Sequence, residues 1–96
     1  MAKISWTNLA LDDLRAIYDY VAQDSPKYAD RLMNKIIERV DVLEQHPKIG
    51  RKVPEFDNEL IRELIEGNYR IIYRIDSVEE IGIARVHHAA RVLKDL

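Results

Sequence analysis

The sequence predicts an α+β fold in the order β-α-α-β-β-β, an antiparallel sheet carrying a two-helix hairpin on one face. Three observations carry this. The first half of the chain holds two apolar stripes of helical period. From Leu60 onward the apolar residues recur at every second position instead. Between the first two alternating runs stands Gly67-Asn68, glycine first, which suits the primed turn of a two-residue hairpin.

Lys3 to Trp6 alternates and reads as a first strand. Thr7 or Asn8 can cap the helix that follows, with Asp12 and Asp13 in its early turns where negative charge is favourable. Ala10, Leu14, Ile17, Tyr18 and Val21 form its apolar stripe. Asp24-Ser25-Pro26 ends it and starts a second helix, Ser25 as cap and Pro26 at the first helical position. The second stripe is Ala29, Leu32, Met33, Ile36, Ile37, Val40 and Leu43. So short a break makes the helices an antiparallel pair. His46 to Phe56 holds two prolines and a glycine and reads as irregular, pinned to the body by Val53 and Phe56.

The hairpin fixes a register. Ile65 lies opposite Arg70, Glu63 opposite Ile72 and Ile61 opposite Arg74, and opposite residues share a face. Leu64, Ile71, Arg62 and Tyr73 then occupy one side. The other side carries Ile61, Glu63, Ile65, Arg70, Ile72 and Arg74. A third strand, Glu80 to His87, follows Asp76-Ser77-Val78-Glu79. By elimination its Ile81, Ile83, Arg85 and His87 join the face of Arg70 and Arg74. Ala89 to Leu96 reads as a last helical turn or a tail.

The chain has 96 residues, enough for one domain (1–96) and too few for two. With no cysteine there is neither a disulfide framework nor a thiolate metal site. No apolar run approaches a membrane span and no signal-peptide pattern opens the chain, so the expectation is a cytoplasmic protein. Fifteen Lys and Arg stand against 17 Asp and Glu, a balance without the positive excess on which nucleic-acid affinity usually rests. His87 and His88 point to opposite faces of a strand, so no metal site and no cofactor are expected.

Trp6 and Ala10, Asp13-Leu14 with Ile17 and Tyr20, His46-Pro47, Gly50-Arg51, Val53-Pro54-Glu55, Arg62-Glu63-Leu64, Tyr69-Arg70-Ile71-Ile72-Tyr73, and Val86-His87 with Arg91 follow in one order. In that order and spacing the chain resembles the RelE/ParE superfamily of bacterial toxin–antitoxin toxins, nearest its ParE, or plasmid-stabilisation, branch. The resemblance covers nearly the whole chain. It implies a growth-inhibiting activity and a cognate antitoxin with a disordered segment that folds around the toxin. RelE-like members cut messenger RNA on the ribosome, whereas ParE-like members act on DNA gyrase without being nucleases.

The residues bear on that division. A metal-independent ribonuclease must activate a 2′-hydroxyl, stabilise charge on phosphate and protonate the leaving oxygen. Lysine positions of RelE-type enzymes fall on Ile61 and Glu63, and no tyrosine follows Tyr73. These departures argue for a ParE-like gyrase inhibitor. An alternative, a ribosome-dependent mRNA endonuclease of the YoeB-like arrangement, would use Glu55, Arg70 and His87, with His88 where that branch has tyrosine. A third reading is a non-toxic co-repressor scaffold acting with its antitoxin.

Candidate target contacts are Arg51, Lys52, Arg70, Arg74, Arg85, His87 and Arg91. The bland alternative for Arg70 and Arg74 is pairing with Glu63 and other surface acids, each exposed pair worth about 0–1 kcal/mol. Ile61, Ile65, Ile72, Ile81 and Ile83 are expected to stand together opposite the helices. Burying one isoleucine fully is worth about 1.5–3 kcal/mol, so an exposed group of them marks an interface. An antitoxin segment or a second copy of the chain would cover it, giving a homodimer or a toxin–antitoxin hetero-oligomer.

Overall fold

A computed structural model describes residues 1–90. The elements are β1 (Lys3–Trp6), α1 (Asn8–Ala22), α2 (Pro26–Asp41) with a 3-10 turn at Val42–Glu44, β2 (Arg51–Lys52), β3 (Ile61–Glu66), β4 (Tyr69–Ser77) and β5 (Glu80–His88). They form two helices packed on a five-stranded sheet in the order β1-β5-β4-β3-β2. The α+β arrangement is as the sequence predicts, with two additions. β1 joins β5 in parallel, so the sheet is mixed rather than purely antiparallel. The stretch expected to be wholly irregular contributes β2, whose Arg51 and Lys52 pair with Glu63 and Arg62. Two residues at a sheet edge fit between a glycine and a proline, where a longer strand would not.

Thr7 joins the first strand to the first helix. Its hydroxyl accepts from the Ala10 amide at 3.0 Å and donates to the Ala84 carbonyl at 2.9 Å, capping α1 while holding it to β5. Ser25 caps α2 in the same way, accepting from the Tyr28 amide, with Pro26 in the first turn. The stripes of both helices meet Leu64, Ile71, Tyr73 and Ile75 of the sheet. Two residues assigned to the stripes depart from them. Ile37 is exposed, and half-buried Tyr18 donates to Asp30 instead of entering the core.

The β3–β4 register is the one the turn implies: Ile61 opposite Arg74, Glu63 opposite Ile72 and Ile65 opposite Arg70. Gly67 takes φ 57°, the left-handed region that the first turn residue needs. β5 departs from its expected phase. Arg85 and His87 lie opposite Ile72 and Arg70, but Tyr73 pairs with Ile83, leaving Ala84 as an extra residue. This bulge reverses which face each residue serves. Ile81 and Ile83 therefore belong to the helix-covered core, while Ala84 joins Ile72 on the other side. Alternation propagated through the strand could not reveal one inserted residue.

The face opposite the helices is closed by the chain's own loop. After the 3-10 turn the backbone rounds the sheet edge at Gly50, and Val53 and Phe56 then pack over Ile72, Ala84 and Ile61. Tyr73 anchors the crossing: its hydroxyl donates to the Pro47 carbonyl at 2.7 Å and accepts from the Gly50 amide at 3.0 Å. Arg62 donates to the Gly50 carbonyl. A Cβ on Gly50 would lie 2.6 Å from both the Glu63 carbonyl oxygen and the Tyr73 hydroxyl, so only glycine passes here unchanged.

Of the five isoleucines expected on an open face, Ile81 and Ile83 are core residues under the helices and Ile72 is buried under the loop. Ile61 is half-buried beside Val53, and Ile65 alone is exposed, at 42%. The exposed isoleucine cluster does not exist. The bulge removes two members, and the connection over residues 46–56, seated on Val53 and Phe56, covers the centre.

Candidate functional site

Beside the loop-covered apolar centre lies a chain of ion pairs. Glu63 on β3 is 1% exposed, although it stands on the side away from the helices. Its two carboxylate oxygens accept from Arg51 Nε and Arg70 Nε, each at 2.6 Å. Arg70 also forms a fork on Glu55, Nη1 to Oε2 at 2.7 Å and Nη2 to Oε1 at 2.6 Å. A bidentate guanidinium–carboxylate pair is among the strongest hydrogen-bonded geometries available to side chains. Donation to Glu55, and then to Glu63, outweighs burial and holds the Arg70 guanidinium above the ordinary arginine range. Two arginines and two glutamates make the cluster neutral.

Local sequence explains the assembly. Strand alternation puts Arg70 and Glu63 on one face, and the hairpin register sets them diagonally across from each other. β2 brings Arg51 directly opposite Glu63. Pro54 lies between Val53, sunk against Ile72, and Glu55, which faces Arg70. A shallow cavity of about 320 Å³ opens here, lined by Arg51, Pro54, Glu55, Ile65, Arg70 and Ala89. His87 lies across from Arg70 in the β4–β5 register. Glu55, Arg70 and His87 are thus brought to one place.

The other candidate cations are elsewhere and are also paired. Lys52 binds Asp57 at 2.7 Å, which raises the lysine pKa and lowers that of the aspartate. Arg74 binds Asp76 at 2.8 Å rather than Glu63. Arg85 donates twice to Asp13 on α1, and the same carboxylate accepts from the Val86 amide at 3.0 Å. Asp13 supplies an acceptor where β1 has ended and β5 has no strand beside it. Arg91 lies outside the described residues. Among the described residues no group of three or more His, Asp or Glu side chains gathers as a metal site, and no helix is long and apolar enough to cross a membrane.

Three contributors belong to the motifs that carry the resemblance, but the sequence gives them no part in the site. Asp13 pairs with a residue 72 positions away, which no local pattern announces. Tyr73 looks like any core aromatic until its hydroxyl is traced to the loop. Gly50 looked like a loop residue, and its close packing depends on tertiary structure.

A helical hairpin packed on one face of a small sheet is the arrangement that the resemblance to the RelE/ParE superfamily implies. The profile of the ParE toxin of type II toxin–antitoxin systems, parDE, matches residues 4–93. The chain belongs to this family. It is 37% identical over 93 residues to Toxin RelE2 of Caulobacter vibrioides, covering 96% of this chain and all of that protein. Among solved structures it is similar to the chromosomal ParDE toxin–antitoxin system from P. aeruginosa. There the TM-score is 0.75 and the identity 32%, over 92% of this chain and 96% of that one. The protein is a type II toxin of the RelE/ParE superfamily, whose partner is a cognate antitoxin.

Proposed function

We propose that this toxin inhibits growth by binding a protein target, with DNA gyrase the expected one, and that it is not a nuclease. One observation carries the reading. Arg51, Lys52, Arg70, Arg74 and Arg85, the described arginine and lysine candidates for target contact, each hold a carboxylate at 2.6–2.8 Å. A phosphate approaching this face meets neutral pairs, and displacing a carboxylate from Arg70 exposes two buried charges. A folded protein surface, offering its own donors and acceptors, fits such a face better than a polyanion does. In this reading a segment of the antitoxin folds on the toxin and blocks the target-binding surface.

One feature favours the second reading, a ribosome-dependent mRNA endonuclease: Glu55, Arg70 and His87 converge. For that chemistry Glu55 must release the guanidinium fork, since both its oxygens accept from Arg70. Inducing the protein in cells separates the two. DNA breaks and an SOS response with intact transcripts are the expected result. Transcripts cut within coding frames would overturn it, and silence in both assays would favour a co-repressor scaffold.

A further inference from the structure

A second cavity, larger than the one beside Arg70, opens on the helix side of the sheet. It holds about 720 Å³ between α1, which supplies Asp13, Ile17 and Tyr20, and the hairpin end of the sheet, which supplies Asn68, Tyr69 and His88. Three of these side chains are aromatic. Tyr20 is 73% exposed, so its ring is open to a ligand. The Tyr69 and His88 rings meet edge to face, their centroids 5.7 Å apart. Burial first, and then the neighbouring Tyr28 and Tyr20, raise the Tyr69 pKa, which puts a third phenol in the same neighbourhood.

The charge of this cavity has one sign. Among the described residues Asp13 is its only acid, and no lysine or arginine lines it. His88 Nδ1 accepts from the Ala90 amide at 3.1 Å, the arrangement of the uncharged tautomer with its proton on Nε2. Asp13 also keeps acceptor capacity. A carboxylate offers about four lone-pair sites. Arg85 Nε and the Val86 amide occupy Oδ2, while Oδ1 accepts once, from Arg85 Nη2. Aromatic faces are negative and attract a cation. A guanidinium can stack on such a ring and still donate to a carboxylate in its plane. An anion would find no counter-charge among the described lining residues, and an aliphatic side chain would leave the free acceptor unmet.

The cavity adjoins the surface on which the target is proposed to dock. Tyr69 and Ala90 line it, whereas the next residue, Arg70, and the preceding one, Ala89, line the cavity on the other side. The two therefore flank one end of β4 and β5. A partner segment that covers Arg70 passes this end and comes within reach of α1.

We propose that the aromatic cavity takes an arginine side chain of the antitoxin, its guanidinium stacked on Tyr20 and donating to Asp13. The assignment rests on the reading that an antitoxin segment covers the Arg70 face, and it holds whether that face meets gyrase or RNA.

Two measurements test it. In NMR titrations of the full chain, N-acetyl-arginine amide should shift the resonances of Tyr20, Tyr69 and His88, and its uncharged citrulline analogue should not. In calorimetry, Tyr20→Ala should weaken antitoxin binding about tenfold, while Tyr20→Phe, which keeps the ring, should stay within about twofold of wild type. Tyr20 is exposed, so neither variant disturbs the core. Replacing the antitoxin arginines singly by glutamine should find one whose loss has no further effect on the Tyr20→Ala toxin. Equal shifts from both probes, or none from either, overturn the proposal. So does antitoxin binding indifferent to Tyr20→Ala, and if growth inhibition is lost in that variant the cavity belongs to the target instead. An antitoxin that couples to Tyr20 yet leaves Arg51 and Arg70 unshifted would uphold the cavity and overturn only the covering of the Arg70 face.

Discussion

The two faces of this sheet reach burial by different means. One is covered by two helices packed along their apolar stripes, so many apolar contacts share the work and none carries it alone. The other is covered by a connection with little regular structure, seated on Val53 and Phe56 and flanked by four charged groups that satisfy one another. A hydrophobic face degrades gradually when one member is trimmed. A buried ionic cluster fails when one member is removed, because the partner stays behind without its counter-charge. The loop-covered face should therefore be the more brittle of the two, and it is the face on which the candidate site lies.

The largest expected effect comes from removing the cation at the centre of the cluster. Arg70→Ala leaves Glu63 inside the protein with Arg51 as its remaining partner, and should destabilise the fold by about 3–5 kcal/mol. Urea unfolding at pH 7 reads this directly. The sharper form of the test is Arg70→Met combined with Glu63→Leu, which removes both buried charges and leaves Arg51 and Glu55 able to meet water. The double variant should recover most of the loss. If it is as unstable as Arg70→Ala, the cluster matters for its shape and not for its charge.

A smaller effect is expected where the loop crosses the sheet edge. Gly50→Ala forces a methyl group against the Glu63 backbone and the Tyr73 ring, costing about 1–3 kcal/mol. The damage should be local. Limited proteolysis should cut within residues 50–56 before the helices unfold, whereas in the wild type the loop and helices should be protected together. Equal protection in the variant would mean that the backbone absorbs the methyl by moving as a unit.

How much of this was legible follows the same division. The helix stripes, both caps and the β3–β4 register could be read because each depends on neighbours within a few residues. Glu63 beside Arg70 followed from the register as well, but its burial did not. That depends on Val53 and Phe56 drawing the loop across Ile72, a tertiary event without a periodic signature. The bulge at Ala84 was invisible for a related reason: a strand's alternation carries no record of where its partner skips a residue, so Ile81 and Ile83 were assigned to the wrong face. Asp13 meeting Arg85 needed the helix and the strand end to be placed first.

The most delicate contrast between the faces passes through Tyr73, whose ring belongs to the helix-side core and whose hydroxyl holds the loop. Tyr73→Phe keeps the ring and strands the Gly50 amide and Pro47 carbonyl, costing about 1–3 kcal/mol near neutral pH. Burial raises the Tyr73 pKa above the usual tyrosine value. The folded state therefore holds the phenolic proton more tightly than the unfolded chain does. That part of the stability is fully present below about pH 10 and is lost as pH rises through the folded value. Tyr69 is raised by burial too, so both proteins should weaken in alkali, and the difference between them is the informative quantity. Urea midpoints from pH 7 to 11 should show the gap between wild type and Tyr73→Phe narrowing above pH 10. A gap that stays constant would mean that the hydroxyl proton does not hold the loop to the sheet.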